Sequence, residues 1–507
     1  MGTKQKQIII IGAGPGGLTA GMILSHRGFN VKIFEKDTLV GGRNKPIQLD
    51  GYTFDTGPTF LNLSFILEEM FTEVGKKATD YLEFKPLDPF YSLVFYDKTI
   101  YPTTDRTRMR EQISKLFPGN EQGLDRYYKT EEKRFRALFP CLQKDYSSLS
   151  AFIDPIFLKA MPQVGLGKSL MGNLAGYFNN EALQLCFTFQ SKYLGMSPWK
   201  CPALFSILSF MEHFYGINHV TGGLNAISEA MAKVIKSSGG EINTGLAVKE
   251  LIIKDKSVSG VILQDNTKVY SDDVIINADF AYAMTSLIPE GILKKYSAAK
   301  LERKKYSCST FMIYLGVKKQ YPLLHHNIFF AQNYRANVDD IFSTLKLSKD
   351  ISFYVQNACV TDKTLAPQGK STLYILVPVP NNFSNINWKE EKSGFREHVL
   401  DQVIRRAKLT DLRQNIEVEK VITPNDWEHD YNVYHAAEFN FAHNIPQMLY
   451  WRPHNKFEEL DHCYLVGGGT HPGSGLPTIY ESARITSNLL CKKYGIPFKR
   501  PSSLDEK

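Results

Sequence analysis

Near the start of the chain, Gly12, Gly14, Gly16 and Gly17 fall in the G-x-G-x-x-G order that cradles a dinucleotide pyrophosphate. Gly12 permits a tight turn, Gly14 lets backbone approach the phosphates, and Gly17 lets a following helix pack closely on the sheet. The helix N-terminus adds free N–H groups and partial positive charge. Glu35, eighteen residues beyond Gly17, is spaced to accept adenosine ribose hydroxyls and to repel a 2′-phosphate. Gly41-Gly42-Arg43 then offers a guanidinium from the other side of the pyrophosphate, and Phe54-Asp55-Thr56-Gly57-Pro58-Thr59 follows shortly. An extended cofactor running from Gly12 past Arg43 to the late glycines at 467–475 suits FAD better than NAD.

Other chemistry-bearing residues are sparse. The sequence offers no convincing acid–base dyad and no metal-ligand spacing, so no metal is expected. His325 and His326 are neighbours, and neighbours on a strand point to opposite faces. They read as loop or packing residues. His471 lies beside the late glycines and is the one candidate for a direct role; its alternative is a structural cap on the glycine turn. Seven cysteines are scattered without C-x-x-C pairs and read as reduced thiols in a cytoplasmic protein.

The elements that must position these groups are legible around them. Ile8-Ile9-Ile10-Ile11 predicts a strand buried on both faces of a parallel sheet. Leu18 to Arg27 predicts a helix, and Asn30 to Phe34 a second strand ending at Glu35, giving the β-α-β context the glycine pattern requires. Residues 103–215 read as mainly helical, Gly222 to Lys236 as one more helix, and Val274 to Ala278 as another buried parallel strand. Strands are expected at Phe311–Gly316, Ile351–Gln356, Thr372–Val377 and Tyr464–Val466, and a last helix at Thr478–Cys491. The α/β fold class expected is a Rossmann-like FAD-binding domain of glutathione-reductase or amine-oxidase type. It comprises 1–75, 220–290 and 455–495, joined to a mixed-sheet substrate-binding domain (76–104 and 291–454) and a helical, membrane-facing subdomain (105–219).

The 507 residues are 43% hydrophobic and 22% charged, which excludes disorder and coiled coil. A net charge of +8 is too mild to argue for nucleic acid, though it helps at an anionic membrane. The opening apolar run is broken at once by glycines, so no leader is expected. No stretch is long enough to span a bilayer. The aromatic run Phe187, Phe189, Tyr193, Trp199, Phe205, Phe210, Phe214 and Tyr215 fits a tunnel wall, a lipid-facing surface or a domain core equally. The tail at 491–500 mixes basic and aromatic residues that either touch headgroups or are simply solvated.

Taken together, these motifs resemble the bacterial and fungal carotenoid (phytoene and diapophytoene) desaturases of the flavin-containing amine oxidase superfamily. The resemblance extends through Phe117-Pro118-Gly119, Gly222-Gly223, Leu324-His325-His326-Asn327-Ile328, Thr361-Asp362, Pro378-Val379-Pro380 and Trp451-Arg452-Pro453-His454-Asn455. Its most specific segment is Tyr464 to Pro477. It implies FAD contacts at Gly12, Gly14, Gly16, Gly17, Glu35, Lys36, Gly42, Arg43, Gly57, Pro58 and Thr59. Further contacts are implied at Val248 on the adenine side and at Gly475, Leu476 and Pro477 near the isoalloxazine. Many relatives place an acidic residue after the last strand to hold the ribityl chain; here glycine (Gly468 or Gly469) stands there. The implied activity is desaturation of a long polyene hydrocarbon, with hydride passing to flavin and electrons leaving to a quinone or oxygen. The enzyme is expected at a membrane surface, peripherally bound. The same motifs suit a carotenoid oxidase, an isomerase or a retinol-saturase-like enzyme. An amine oxidase or a flavin-free lipid escort protein fits them less well.

Overall fold

The computed structural model describes residues 5–504, with the side chain of Tyr193 outside the described residues. Gln7–Ile11 forms the middle strand of a five-stranded, all-parallel sheet ordered 241–243, 30–34, 7–11, 273–276, 463–465. The run of four isoleucines is buried on both sides, and its side chains divide by parity. Ile8 and Ile10 join a core with the helices Pro15–His26, Asn225–Ser237 and Leu476–Tyr494. Ile9 and Ile11 join a second core with Val258 and Val261 of a three-stranded antiparallel layer. The strands' C-terminal ends deliver Gly12, Glu35, Asn277 and Gly467 to one edge of the sheet, where ligands bind in open α/β folds.

A seven-stranded mixed sheet is ordered 416–422, 309–317, 371–379, 353–356, 326–329, 92–94, 99–100. In Ser309–Val317, Phe311, Ile313 and Leu315 face the helix Trp388–Arg406, whereas Met312 and Tyr314 face the hairpin carrying Tyr52 and Phe54. That second face presents a cross-strand row, Tyr314–Tyr374–Gln356–His326, each residue directly opposite the next. Tyr314 donates to Thr56 O (2.7 Å) and Tyr374 to Gly57 O (2.9 Å). Tyr354, on the same face, donates to Thr59 Oγ1 (2.9 Å). The sheet thereby grips the segment 56–59, which contains Gly57, Pro58 and Thr59, the residues the resemblance assigns to the cofactor.

The helix expected from Gly222 starts at Asn225. Gly222 and Gly223 instead make a left-handed turn (φ 85° and 86°), a conformation glycine adopts without strain. Asp55 accepts from Leu224 N (2.7 Å) and Asp362 from Gly222 N (2.7 Å) and His219 Nε2 (2.9 Å). Asp55 and Asp362 therefore hold this turn. The basic, aromatic tail is likewise tied down. Lys493 and Tyr494 bind the carboxylate of Asp273 (2.5 and 2.6 Å), which opens a strand of the parallel sheet at the edge opposite the glycine loop.

Residues 106–215 are mainly helical, with helices Arg106–Leu116, Glu121–Leu142 and Ser206–Tyr215 the longest. The aromatic run is interior, which removes the lipid-facing reading for it. Phe187, Phe189, Phe205 and Phe210 are buried, and Trp199, Phe214 and Tyr215 are half-buried against the same core. Apolar exposure lies elsewhere, at residues 149–166: Ile153 is 74% exposed, Leu149 64% and Leu158 56%. Among the described residues no helix is long and apolar enough to cross a membrane.

Glu212 is buried in this helical layer, accepting from Tyr91 OH and Gln190 Nε2 (2.8 Å each), and burial pushes its carboxyl up from 4.5 to about 7. A raised carboxyl favours folding in its protonated form. Its stabilisation is complete below pH 4.5 and is lost as pH rises through about 7, a cost of about 3 kcal/mol. Glu212→Gln should narrow the gap in melting temperature between pH 5 and pH 8, read by differential scanning fluorimetry; an unchanged gap refutes the assignment.

Candidate functional site

One continuous cavity of about 940 Å³ runs from the glycine loop into the helical layer. At its cofactor end, the backbone geometry requires the glycines. Gly12 has φ +95°, and a Cβ there would stand 2.3 Å from Asn277 O. A Cβ on Gly16 would stand 2.7 Å from Asn277 Oδ1. Asn277 Nδ2 itself donates to Gly12 O (3.0 Å), so this asparagine braces the loop from the neighbouring strand. Gly12, Gly14 and Gly16 lie on the cavity wall. Gly17 lies behind it, where a Cβ would stand 2.2 Å from Gly12 O, so it serves packing. The helix Pro15–His26 begins at Gly14 without a side-chain cap, leaving its first N–H groups for an anion.

Glu35 is buried on the wall and accepts from Ala13 N (2.7 Å) and Asp37 N (2.9 Å), and burial pushes its carboxyl up. Each oxygen keeps a second lone pair for a ribose hydroxyl. Lys36 reaches the wall with its ammonium on Asp430 O (2.6 Å). Arg43 donates to the carbonyl of Glu438 and faces the carboxyls of Glu438 and Asp279. Burial pushes Glu438 up to about 7 and Asp279 up to about 6. Protonation of Glu438, about half complete at pH 7, leaves more of the guanidinium's charge available to a pyrophosphate. Gly42, Gly57, Pro58, Thr59 and Val248 line the same wall, as do Gly468, Gly475, Leu476 and Pro477. The helix Leu476–Tyr494 also starts on an uncapped glycine, with its free N-terminus at the cleft.

Two further groups shape the late glycine segment. Asn440 lies so close that a Cβ on Gly468 would stand 3.4 Å from its Nδ2, and one on Gly469 3.1 Å from its Oδ1. Its Oδ1 is buried without a partner, and the residue lines the cavity. An amide thus waits beside the glycines that stand where an acid was expected. Arg452 is fully buried and donates to Gly468 O (2.6 Å) and Thr470 O (3.0 Å), fixing the loop's carbonyls. His471, by contrast, is not on the cavity wall. Its Nε2 binds Lys144 O (2.8 Å), its ring packs on Tyr146, and burial holds it neutral, with its pKa down at about 3. Its ring thus ties this segment to the helical layer through Lys144 and does not bond to the glycine turn. The uncapped helix ends, the glycine cradle and the orphaned Asn440 amide together fit FAD.

Beyond the cofactor end the wall is apolar: Phe189, Leu204, Phe205, Ile207, Leu208 and Met211 on the helical side, Ile328, Phe353 and Leu376 on the sheet. Polar groups there are few. Lys192 donates to Ser352 Oγ (2.6 Å), and burial lowers its pKa to about 8. Cys308 and Thr310 lie on the wall, as do His326 and Tyr354. Phe152, Phe157, Leu166 and Trp451 also line the cavity, with Phe152 packed on Phe157 and Trp451, and Leu166 and Trp451 are exposed to solvent as well.

Residues 15–491 match the family model for flavin containing amine oxidoreductases. The chain is 53% identical over 494 residues to the 4,4'-diapophytoene desaturase (4,4'-diapolycopene-forming) of Methylomonas sp, covering 97% of each chain. It is 34% identical to the zeta-carotene-forming phytoene desaturase of Myxococcus xanthus, covering 96% of this chain and 94% of that one. An oxidoreductase from Methanosarcina mazei has the same fold at 18% identity (TM-score 0.63), covering 94% of this chain and 99% of that one. With a glycine cradle that fits FAD along one wall and an apolar channel leading from it, this chain belongs to the flavin-containing amine oxidoreductase family, among its carotenoid desaturases.

Proposed function

We propose that the protein desaturates 4,4'-diapophytoene, or a closely similar polyene hydrocarbon, at a membrane surface, and passes the electrons to a quinone or to oxygen. The observation that carries this reading is the single channel joining the glycine cradle to an apolar rim open to solvent. Bound FAD supplies a two-electron acceptor for hydride. The chain's own residues bind and orient the hydrocarbon against it and keep water out. Phe189, Phe205 and Met211 form a wall with nothing to reward a polar ligand. Identity of 53% to a diapophytoene desaturase supports the substrate's class and length.

The rim supports delivery from lipid. At ~0.8 kcal/mol per CH₂, moving a hydrocarbon of about thirty carbons through water costs more than ~20 kcal/mol. Passing from bilayer into the channel avoids most of that. Leu166 and Trp451 line the channel and are exposed, Leu149, Ile153 and Leu158 are exposed on the same segment as Leu166, and these apolar side chains suit insertion among acyl chains. The cysteines are all unpaired, in keeping with a cytoplasmic face. Among the described residues the parallel sheet carries one glycine cradle for one dinucleotide, which disfavours NADPH as a substrate.

The test is anaerobic. Diapophytoene in liposomes should bleach the enzyme's flavin and yield longer chromophores, NADPH should not bleach it, and a quinone should restore the colour. Rapid bleaching by NADPH, or inertness towards the polyene, overturns the proposal.

A further inference from the structure

His325 and His326 part company in the fold. His325 turns away from the channel, its Nδ1 2.9 Å from Thr361 Oγ1 and its ring 4.8 Å from that of His219. His326 opens the strand His326–Phe329 opposite Gln356 and lies on the channel wall beside Ile328 and Phe353. Its Nδ1 is 2.6 Å from the hydroxyl of Tyr354, which in turn donates to Thr59 Oγ1 (2.9 Å). Of the hydrogen arrangements these contacts allow, the one with the tyrosine's hydrogen on Thr59 has the imidazole supply the hydrogen between Nδ1 and Tyr354. Nε2 is then left as a bare lone pair. The residue is 1% exposed, and Nε2 has no partner. A buried, unpartnered ring nitrogen on a residue that lines a hydrocarbon channel is costly to keep unless something in the reaction meets it.

We propose that His326 Nε2 accepts the proton that the substrate loses as its C–C single bond becomes double, with Tyr354 and Thr59 acting as positioning residues that fix the tautomer. The inference rests on the desaturase reading above. Two C–H bonds break. One leaves with both electrons as hydride to FAD; the other leaves its electron pair in the new double bond and its proton on Nε2. The imidazolium is backed by Tyr354, which accepts from Nδ1–H. It returns the proton from Nε2 to water entering as product leaves, and the starting tautomer is restored.

The site's electrostatics suit that order of events. Burial, and the nearby imidazole of His219, hold His326 neutral at rest, with its pKa near 3. A resting imidazolium would oppose the positive charge that hydride loss creates on the polyene. A neutral lone pair attracts it. An allylic cation is acidic enough to surrender its proton to so weak a base, so no stronger one is needed.

His326→Asn retains a donor near the Nδ1 position and removes Nε2; His326→Gln keeps a polar atom near Nε2 without a basic nitrogen. Both should bind FAD and liposomes as the parent does, and both should slow single-turnover bleaching by diapophytoene 10- to 100-fold. Independently of turnover, ¹⁵N-histidine NMR of the FAD-loaded parent should show one imidazole with Nδ1 protonated and Nε2 bare down to pH 5. That Nε2 resonance should be absent from His326→Gln and should shift when product polyene is added. Bleaching within twofold of the parent, or an Nε2–H tautomer, overturns the proposal while leaving the desaturase reading intact. A parent that does not react with the polyene removes both.

Discussion

Gly12→Ala should purify folded but colourless. The methyl would stand 2.3 Å from Asn277 O, on a backbone at φ +95° that alanine resists. Loop and strand cannot both keep their places, and the orphaned-carbonyl and strain costs together reach ~3 kcal/mol or more. Since 1.4 kcal/mol is tenfold, affinity for FAD should fall at least about a hundredfold. The readout is flavin absorbance after reconstitution, with far-ultraviolet circular dichroism to show that the sheet persists. Gly17→Ala acts at one remove, through Gly12 O at 2.2 Å, and should give the same loss. Gly28→Ala is the control: its added carbon meets nothing within 4 Å, although its φ of +87° carries strain of its own. Full flavin retention by Gly12→Ala would contradict the cradle as described.

The second large effect belongs to the exposed apolar segment 149–166. Ile153→Glu combined with Leu158→Glu should abolish co-sedimentation with liposomes while the flavin spectrum stays unchanged. Both side chains are mostly exposed, so the fold loses little. In lipid each isoleucine or leucine contributes ~1.5–3 kcal/mol, and the pair sets a loss of at least about a hundredfold in partitioning. Turnover on polyene embedded in liposomes should fall in parallel. Undiminished sedimentation would place the membrane contact elsewhere.

How much of the molecule is legible in its sequence follows from the range of each interaction. The four isoleucines, the glycine loop and Glu35 sit within thirty residues of one another, and the local pattern announces them. Asn277 braces Gly12 across 265 positions, and Arg452 fixes the carbonyls of Gly468 and Thr470 from inside the core. No local signal marks either for that role. The aromatic run looks the same as a core, a tunnel or a lipid face, because aromatic side chains serve all three. The structure makes it core and tunnel wall. The exposed apolar residues form no continuous stripe along the chain, because Pro155 and Pro162 and the glycines at 165 and 167 interrupt them. His471 stands out by adjacency to the late glycines, yet its ring binds Lys144 O. His326 reads, like its neighbour, as a packing residue. That adjacent strand residues face opposite ways is sound, and it is the reason one of the pair reaches the channel.

The order of strands in the parallel sheet has a consequence for how the protein is made. Its central strand is synthesised first, but the edge strand Cys463–Leu465 and the segment to Pro477 come only after more than nine-tenths of the chain has left the ribosome. Until then the wall of Phe189, Phe205 and Met211 faces no finished cleft, and a nascent chain carries a long apolar surface with nothing to cover it. FAD stabilises only what can bind it, so it cannot help the nascent chain early. Assembly from such distant parts is also slow, because the loops between them must close before any contact rewards them. Flavin therefore acts late: it adds stability only to chains whose last strand has already joined the sheet.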